Sequence, residues 1–362
     1  MAHPYKDLPP QAFWRSAVAE RHPLHIDTLW APKFQVKPED HIVTAGSCFA
    51  QHFSRALVAR GYTWLNAEPA PALLKPEDEA AYNYGIFSFR TGNIYTARIL
   101  LQWLELAFEK RDPIDDVWEK DGRFYDPLRP AIEPNGFASP EELHASRAVT
   151  CHAIRRAVKE AGVFVFTMGL TESWQNVEGG FEYAICPGTM AGKFDPGRDQ
   201  FENQDYDHIQ RDMRAAIRLI TEENPDIRIL LTVSPVPLTA TATGDHVLVA
   251  TTHSKSILRA VAGAMAAQFD HVDYFPSYEI ITNAAFGGQF YAPNKRSVVP
   301  EGVGFVMKTF FSDQERIFGK VKPAGKPKGA RKPDAAGASG PATSGTEAVK
   351  CEEEMLDAFG KK

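Results

Sequence analysis

The stretch Thr44-Ala45-Gly46-Ser47-Cys48-Phe49-Ala50 places a serine between a short apolar run and a segment with helical spacing. A serine at a strand-to-helix junction lifts its hydroxyl above the carboxyl edge of a sheet. The amides of the first helical turn then point toward any anion formed there. This is the geometry of a nucleophile. The same residue type is also an ordinary N-cap, here for the helix expected over residues 51–60, so Ser47 has two readings. A serine hydroxyl attacks only if a base removes its proton. His253, in Thr252-His253-Ser254-Lys255-Ser256, is the best placed candidate, at the start of a helix after a long loop. Lys255 is a second candidate, since a desolvated lysine can lose its proton, and His52 lies one helical turn past Ser47. Cys48 has no cationic neighbour in sequence and reads as a buried structural thiol.

Four segments succeed one another in a fixed order: Gly46-Ser47-Cys48-Phe49-Ala50, Asn83-Tyr84-Gly85, Gly169-Leu170-Thr171-Glu172 and Phe275-Pro276-Ser277-Tyr278-Glu279. Together they resemble the GSCFA-domain family, a branch of the SGNH/GDSL hydrolase superfamily, over about residues 25–315. The resemblance implies a flavodoxin-like three-layer α/β/α sandwich with a central parallel sheet and the serine after its first strand. It also implies acyl-ester hydrolysis or acyl transfer. It assigns the oxyanion donors to the Ser47 amide, the Gly85 amide and the side chain of Thr171, which stands where the wider superfamily has the asparagine of Gly-x-Asn-Asp. Asn83 supplies an extra donor or satisfies its own turn. Glu172, with Trp174 nearby, lines the pocket or caps the next helix or loop. The superfamily draws its base from a late Asp-x-x-His. Here that stretch reads Asn294-Lys295-Arg296-Ser297, a pair that cannot activate a serine. Arg296 could instead bind a carboxylate or phosphate on a substrate. The expectation is therefore a serine esterase or O-acyltransferase acting on an acylated glycan or small metabolite. The alternative is a non-catalytic carbohydrate- or acyl-binding domain of the same fold.

These residues need a frame. Apolar runs at 41–45, 163–168, 227–233 and 272–275 read as buried strands, and amphipathic stretches at 51–60, 95–110, 139–160, 206–223, 254–268 and 300–311 read as helices. Their alternation argues for a parallel sheet covered on both faces. A fifth strand falls at 64–67 or 86–89. Ser47, residues 169–172 and Ser234-Pro235-Val236-Pro237 all come directly after strands, so they meet at one edge of the sheet. An N-terminal extension (1–38) precedes a domain at 39–318 with insertions near 111–140 and 177–204, each a lid or surface decoration. Residues 319–362 read as a disordered tail with a basic first half and a short amphipathic end over 352–359, which docks or stays solvated.

With 362 residues, 44% of them hydrophobic, burying a core is no difficulty. A formal net charge of −6 gives no drive toward nucleic acid or an anionic membrane. The 4 cysteines form no C-x-x-C pair, so neither a zinc site nor a disulfide framework is expected. No phosphate-binding glycine loop is present, and no cofactor or metal is implied. Residues 1–20 contain no apolar signal run and no segment is long enough to span a bilayer, which leads to the expectation of a cytoplasmic protein.

Overall fold

The computed structural model describes residues 3–320 and 352–360. In chain order, the first half contains β1 (Ile42–Gly46), α1 (Ala50–Ala59), α2 (Pro76–Glu79), α3 (Ala97–Ala107), β2 (Trp118–Lys120), β3 (Arg123–Tyr125) and α4 (Pro140–Glu160). The second contains β4 (Val163–Met168), β5 (Glu172–Asn176), β6 (Phe181–Tyr183), β7 (Asp199–Asn203), α5 (Tyr206–Glu223), β8 (Arg228–Val233), α6 (Val247–Gln268), β9 (Val272–Tyr274), α7 (Ser277–Thr282) and α8 (Pro300–Phe318).

Among the described residues the central sheet has four parallel strands in the order β1-β4-β8-β9. Ile42 faces Val163, Val163 faces Arg228 and Ile229 faces Val272. Every residue of β1 and β4 is buried, as continuous apolar runs require when both faces are covered. On one face Val43, Phe164, Phe166 and Leu231 pack with α3, α4, α5 and α6; on the other Ile42, Val165 and Leu230 pack with α1, α7 and α8. The result is a three-layer α/β/α sandwich.

The fifth strand is only a fragment. Trp64 makes a single parallel bridge to Ile42, on the edge of β1 away from β4. The chain then leaves: the Ala67 amide donates to the Ser88 carbonyl, and Ser88 takes over the edge, its amide donating to Thr44 O and its hydroxyl accepting from the Thr44 amide. Both candidate segments thus share one edge, and neither runs along it. Counting the Trp64 bridge, the order of strands reverses between β1 and β4. In open α/β sheets such a reversal opens a crevice at the carboxyl ends.

Helix boundaries are set by the caps. Thr96, Ser139 and Asp205 accept from amides three residues on, starting α3, α4 and α5. Two helices exceed their expected lengths. The His246 side chain accepts from the Leu248 amide and starts α6 well before Ser254. α8 runs on to Phe318 because Asp313 and Gln314, polar residues that break the apolar period, face inward and accept the Trp30 and Val36 amides. The N-terminal extension is accordingly a strap across the α8 layer. Trp30 stacks on Phe310 at 5.3 Å and meets Phe275 edge-on at 5.1 Å.

The insertions also have defined places. Residues 111–140 contain the β2–β3 hairpin, and 177–204 supply β6 and β7, which flank β5 in an antiparallel sheet. β6 is anchored to α3 by Gln102, whose side chain accepts from the Glu182 amide and donates to its carbonyl.

Candidate functional site

β1 ends at Gly46 with φ +124°, and a Cβ there would lie 2.3 Å from the Thr167 carbonyl oxygen. Only glycine fits this approach. The Ser47 amide donates to the same carbonyl at 2.9 Å, and the Ala50 amide already donates to the Ser47 carbonyl, so strand becomes helix within a few residues. Ser47 is 2% exposed, and its Oγ has no hydrogen-bond partner among the described residues. A buried hydroxyl left unpaired costs roughly 1–3 kcal/mol.

Around it the strand ends converge. The Ile94 amide donates to Gly46 O, while the Gly169 and Leu170 amides both donate to Tyr95 O. Gly169 is packed so closely on Tyr95 that a Cβ would meet its carbonyl oxygen at 2.9 Å. Residues 93–95 therefore thread between the ends of β1 and β4, carrying Asn93, which is 3% exposed. Sequence reasoning missed Asn93, which lies just ahead of the helix expected over 95–110 and belongs to none of the four motif segments. The signal was there, a Gly-Asn pair just ahead of a capping threonine.

Gly85, at φ +68°, is exposed, and the neighbouring Ile86 and Phe87 pack on Ala50 at the start of α1. This brings the Gly85 loop to the Ser47 helix. Asn83, at φ +59°, donates its side-chain amide to Ala131 O at 2.9 Å and so fixes the loop. Arg90 fixes it further, donating to Tyr82 O and the Tyr84 hydroxyl with its guanidinium 4.0 Å from the Tyr84 ring centre.

The Ser47 amide, engaged by Thr167, and the Thr171 hydroxyl, which donates to Asn203 Oδ1 at 2.7 Å, both have partners elsewhere. Glu172 accepts from the Thr241 hydroxyl at 2.6 Å and the Ala242 amide at 3.1 Å, tying β5 to the loop after β8.

Among the described residues no imidazole is hydrogen-bonded to Ser47 Oγ. His253 is exposed on α6, whose inner face instead carries Ser254 and Lys255. The Ser254 hydroxyl accepts from the Thr171 amide, and Lys255 Nζ donates to Gly169 O. His52 packs edge-on against Phe49, and burial, with help from Arg55, lowers its pKa to about 4. It is a neutral ring at neutral pH.

The late Asn294 to Ser297 stretch is a tight turn. Asn294 Oδ1 accepts from the Arg296 and Ser297 amides, and its Nδ2 donates to Ser297 Oγ at 2.9 Å. Arg296 donates to Pro237 O at 3.2 Å and pairs with Glu353 and Glu354 of a 3-10 helix over Glu352–Phe359. The amphipathic end of the tail is therefore docked, through an ion pair that its composition did not announce. Of the disordered linker expected over 319–350, residues 321–350 lie outside the described residues.

Beside the strand ends lies a cavity of about 470 Å³, lined among others by Leu170, Trp174, Glu182, Tyr183, Leu238 and Leu356. Glu182, on β6, is 0% exposed; Thr96 Oγ1 and Gln204 Nε2 donate to its two oxygens. Burial pushes its pKa up to about 8. Sequence reasoning missed this residue too. Among the described residues no group of three or more His, Cys, Asp or Glu side chains could hold a metal ion, and no helix is long and apolar enough to cross a membrane.

A three-layer sandwich with a buried serine at the turn out of its first strand defines an α/β protein whose candidate site sits at the strand-order reversal. Within that class, the family model of the GSCFA family matches residues 41–310, and the chain belongs to that family. No curated protein matches it.

Proposed function

We propose that this chain is a cytoplasmic serine esterase or O-acyltransferase of the SGNH type, acting through Ser47 on an acylated glycan or small metabolite. The observation that carries the reading is the Ser47 hydroxyl itself, buried and without a hydrogen-bond partner among the described residues, at the point where strand order reverses. A fold keeps an unsatisfied buried group when something other than stability selects it. In this reading Ser47 Oγ attacks the acyl carbonyl and passes the acyl group to water or an acceptor hydroxyl. Amides of the Gly85 loop and the side chain of Asn93 are the donors for the oxyanion. The base in this reading is His253 or the neutral His52, neither of which is hydrogen-bonded to Ser47 Oγ among the described residues.

A second reading, a carbohydrate- or acyl-binding domain without turnover, is favoured by the Asn294 to Ser297 turn, whose side chains hold the turn together. Incubation with a fluorophosphonate probe separates the two. Labelling of the folded protein that disappears in Ser47→Ala supports the enzyme. Absence of labelling over hours, at temperatures below the melting transition, supports the binding domain.

A further inference from the structure

The cavity beside the strand ends is bounded on one side by residues from the far end of the chain. Glu353, Leu356 and Phe359 line it, together with Leu170, Trp174 and Leu238. Arg296 holds this segment in place, reaching Glu353 at 3.6 Å and Glu354 at 3.3 Å, and Arg296 and Glu353 are themselves largely shielded, at 14% and 13% side-chain exposure. Leu356 is half-buried, yet Phe359 retains 64% of its exposure while about 470 Å³ beside the segment stays unfilled by protein. An apolar ring at the lip of an unfilled apolar cavity has burial still to gain, and a ligand inside would supply it.

The polar groups of the cavity narrow the ligand. Glu172, Glu182 and Glu353 reach it, and each is satisfied from within the protein: Glu172 by Thr241 and Ala242, Glu182 by Thr96 and Gln204, Glu353 by Arg296. Glu353 already has its counter-charge in Arg296, and a charged head would enter this cavity at the cost of its own desolvation. The walls contributed by Trp174, Tyr183 and Ile99 offer apolar contact instead.

We propose that this cavity binds an uncharged molecule with a hydrocarbon chain, and that the C-terminal segment Glu352–Phe359 is one wall of the binding site. The site does not depend on whether Ser47 performs chemistry. It gives a function to the insertion at 177–204, which supplies Glu182, Tyr183 and Phe194, and to the Arg296 turn, which clasps the wall.

Titration of the full chain with Nile red, an uncharged apolar dye, tests this. Saturable binding is expected, with displacement by decanol at concentrations where decanoate and decylamine displace little. The double variant Leu356→Asp, Phe359→Asp is expected to bind roughly tenfold more weakly, since it removes two apolar contacts, with an unchanged melting temperature. A single Arg296→Gln variant should weaken binding in the same direction by releasing the clasp. Absence of saturable binding overturns the site, and preferential displacement by either charged chain overturns the ligand class. Unchanged or tighter binding by the double variant removes the tail from the site.

Discussion

Removing the Ser47 hydroxyl deletes a group the folded protein leaves unsatisfied. Ser47→Ala should therefore raise stability by about 1 kcal/mol in urea unfolding while abolishing any probe labelling or ester turnover. A stability loss would mean that the hydroxyl has a partner after all. Next to it, Gly46→Ala forces a methyl against a strand carbonyl in a backbone region closed to alanine. A loss of roughly 3 kcal/mol or more is expected, read from the same unfolding curves. Glu182 gives a pH signature. Its folded pKa, about 8, lies above the unfolded carboxyl value, so between the two the unfolded chain gives up a proton that the native state keeps. Stability from this group is full below the unfolded pKa and is lost as pH rises through the folded value. Glu182→Gln should flatten that decline in melting temperature, measured from about pH 5 to 8; parallel profiles for both proteins would show Glu182 to be ionised throughout. Ser47, Gly85 and Glu172 were legible as candidates because short contiguous motifs carry them. Glu182 was not, since its burial is created by Gln102, Thr96 and Gln204, which lie far from it in sequence.

Elements read well where one face is uniformly apolar and poorly where polar residues point inward. The four core strands and the helix α5 lie within a residue of their expected bounds, because continuous apolar runs and an Asp205 cap leave little choice. α8 was cut short because Asp313 and Gln314 look like surface residues until the strap supplies the amides they accept. Even more hidden is Asp126, in the insertion at 111–140, which binds Arg129 and Arg147 with all three side chains buried. Burial alone would raise its pKa, but the two guanidiniums lower it to about 2. Asp126→Asn leaves two buried cations short of a counter-charge and should cost about 3–5 kcal/mol; a change below about 1 kcal/mol would mean that water reaches the cluster. By contrast, Asn294→Ala breaks only local turn bonds. It should lower stability by about 1 kcal/mol and leave any ester hydrolysis intact. Lost hydrolysis without lost structure would return this turn to the catalytic machinery.

At the scale of the whole molecule, the family match at 41–310 and the folded body do not coincide. Trp30 is 5% exposed against Phe310 and Phe275, and α8 continues to Phe318. A fragment limited to 41–310 should therefore melt well below residues 20–320, or fail to give a cooperative transition by calorimetry. Equal transitions would make the strap dispensable. The strap escaped the sequence reading because its few anchors, Ile26, Trp30 and Val36, are spaced irregularly and acquire meaning only against α8. The body so assembled also encloses Ser47, leaving it 2% exposed. Any reagent must wait for the surrounding structure to open, so its reaction is gated. With rising reagent concentration the labelling rate should first climb and then level off at the opening rate of the protein, a microscopic clock that one serine would report directly.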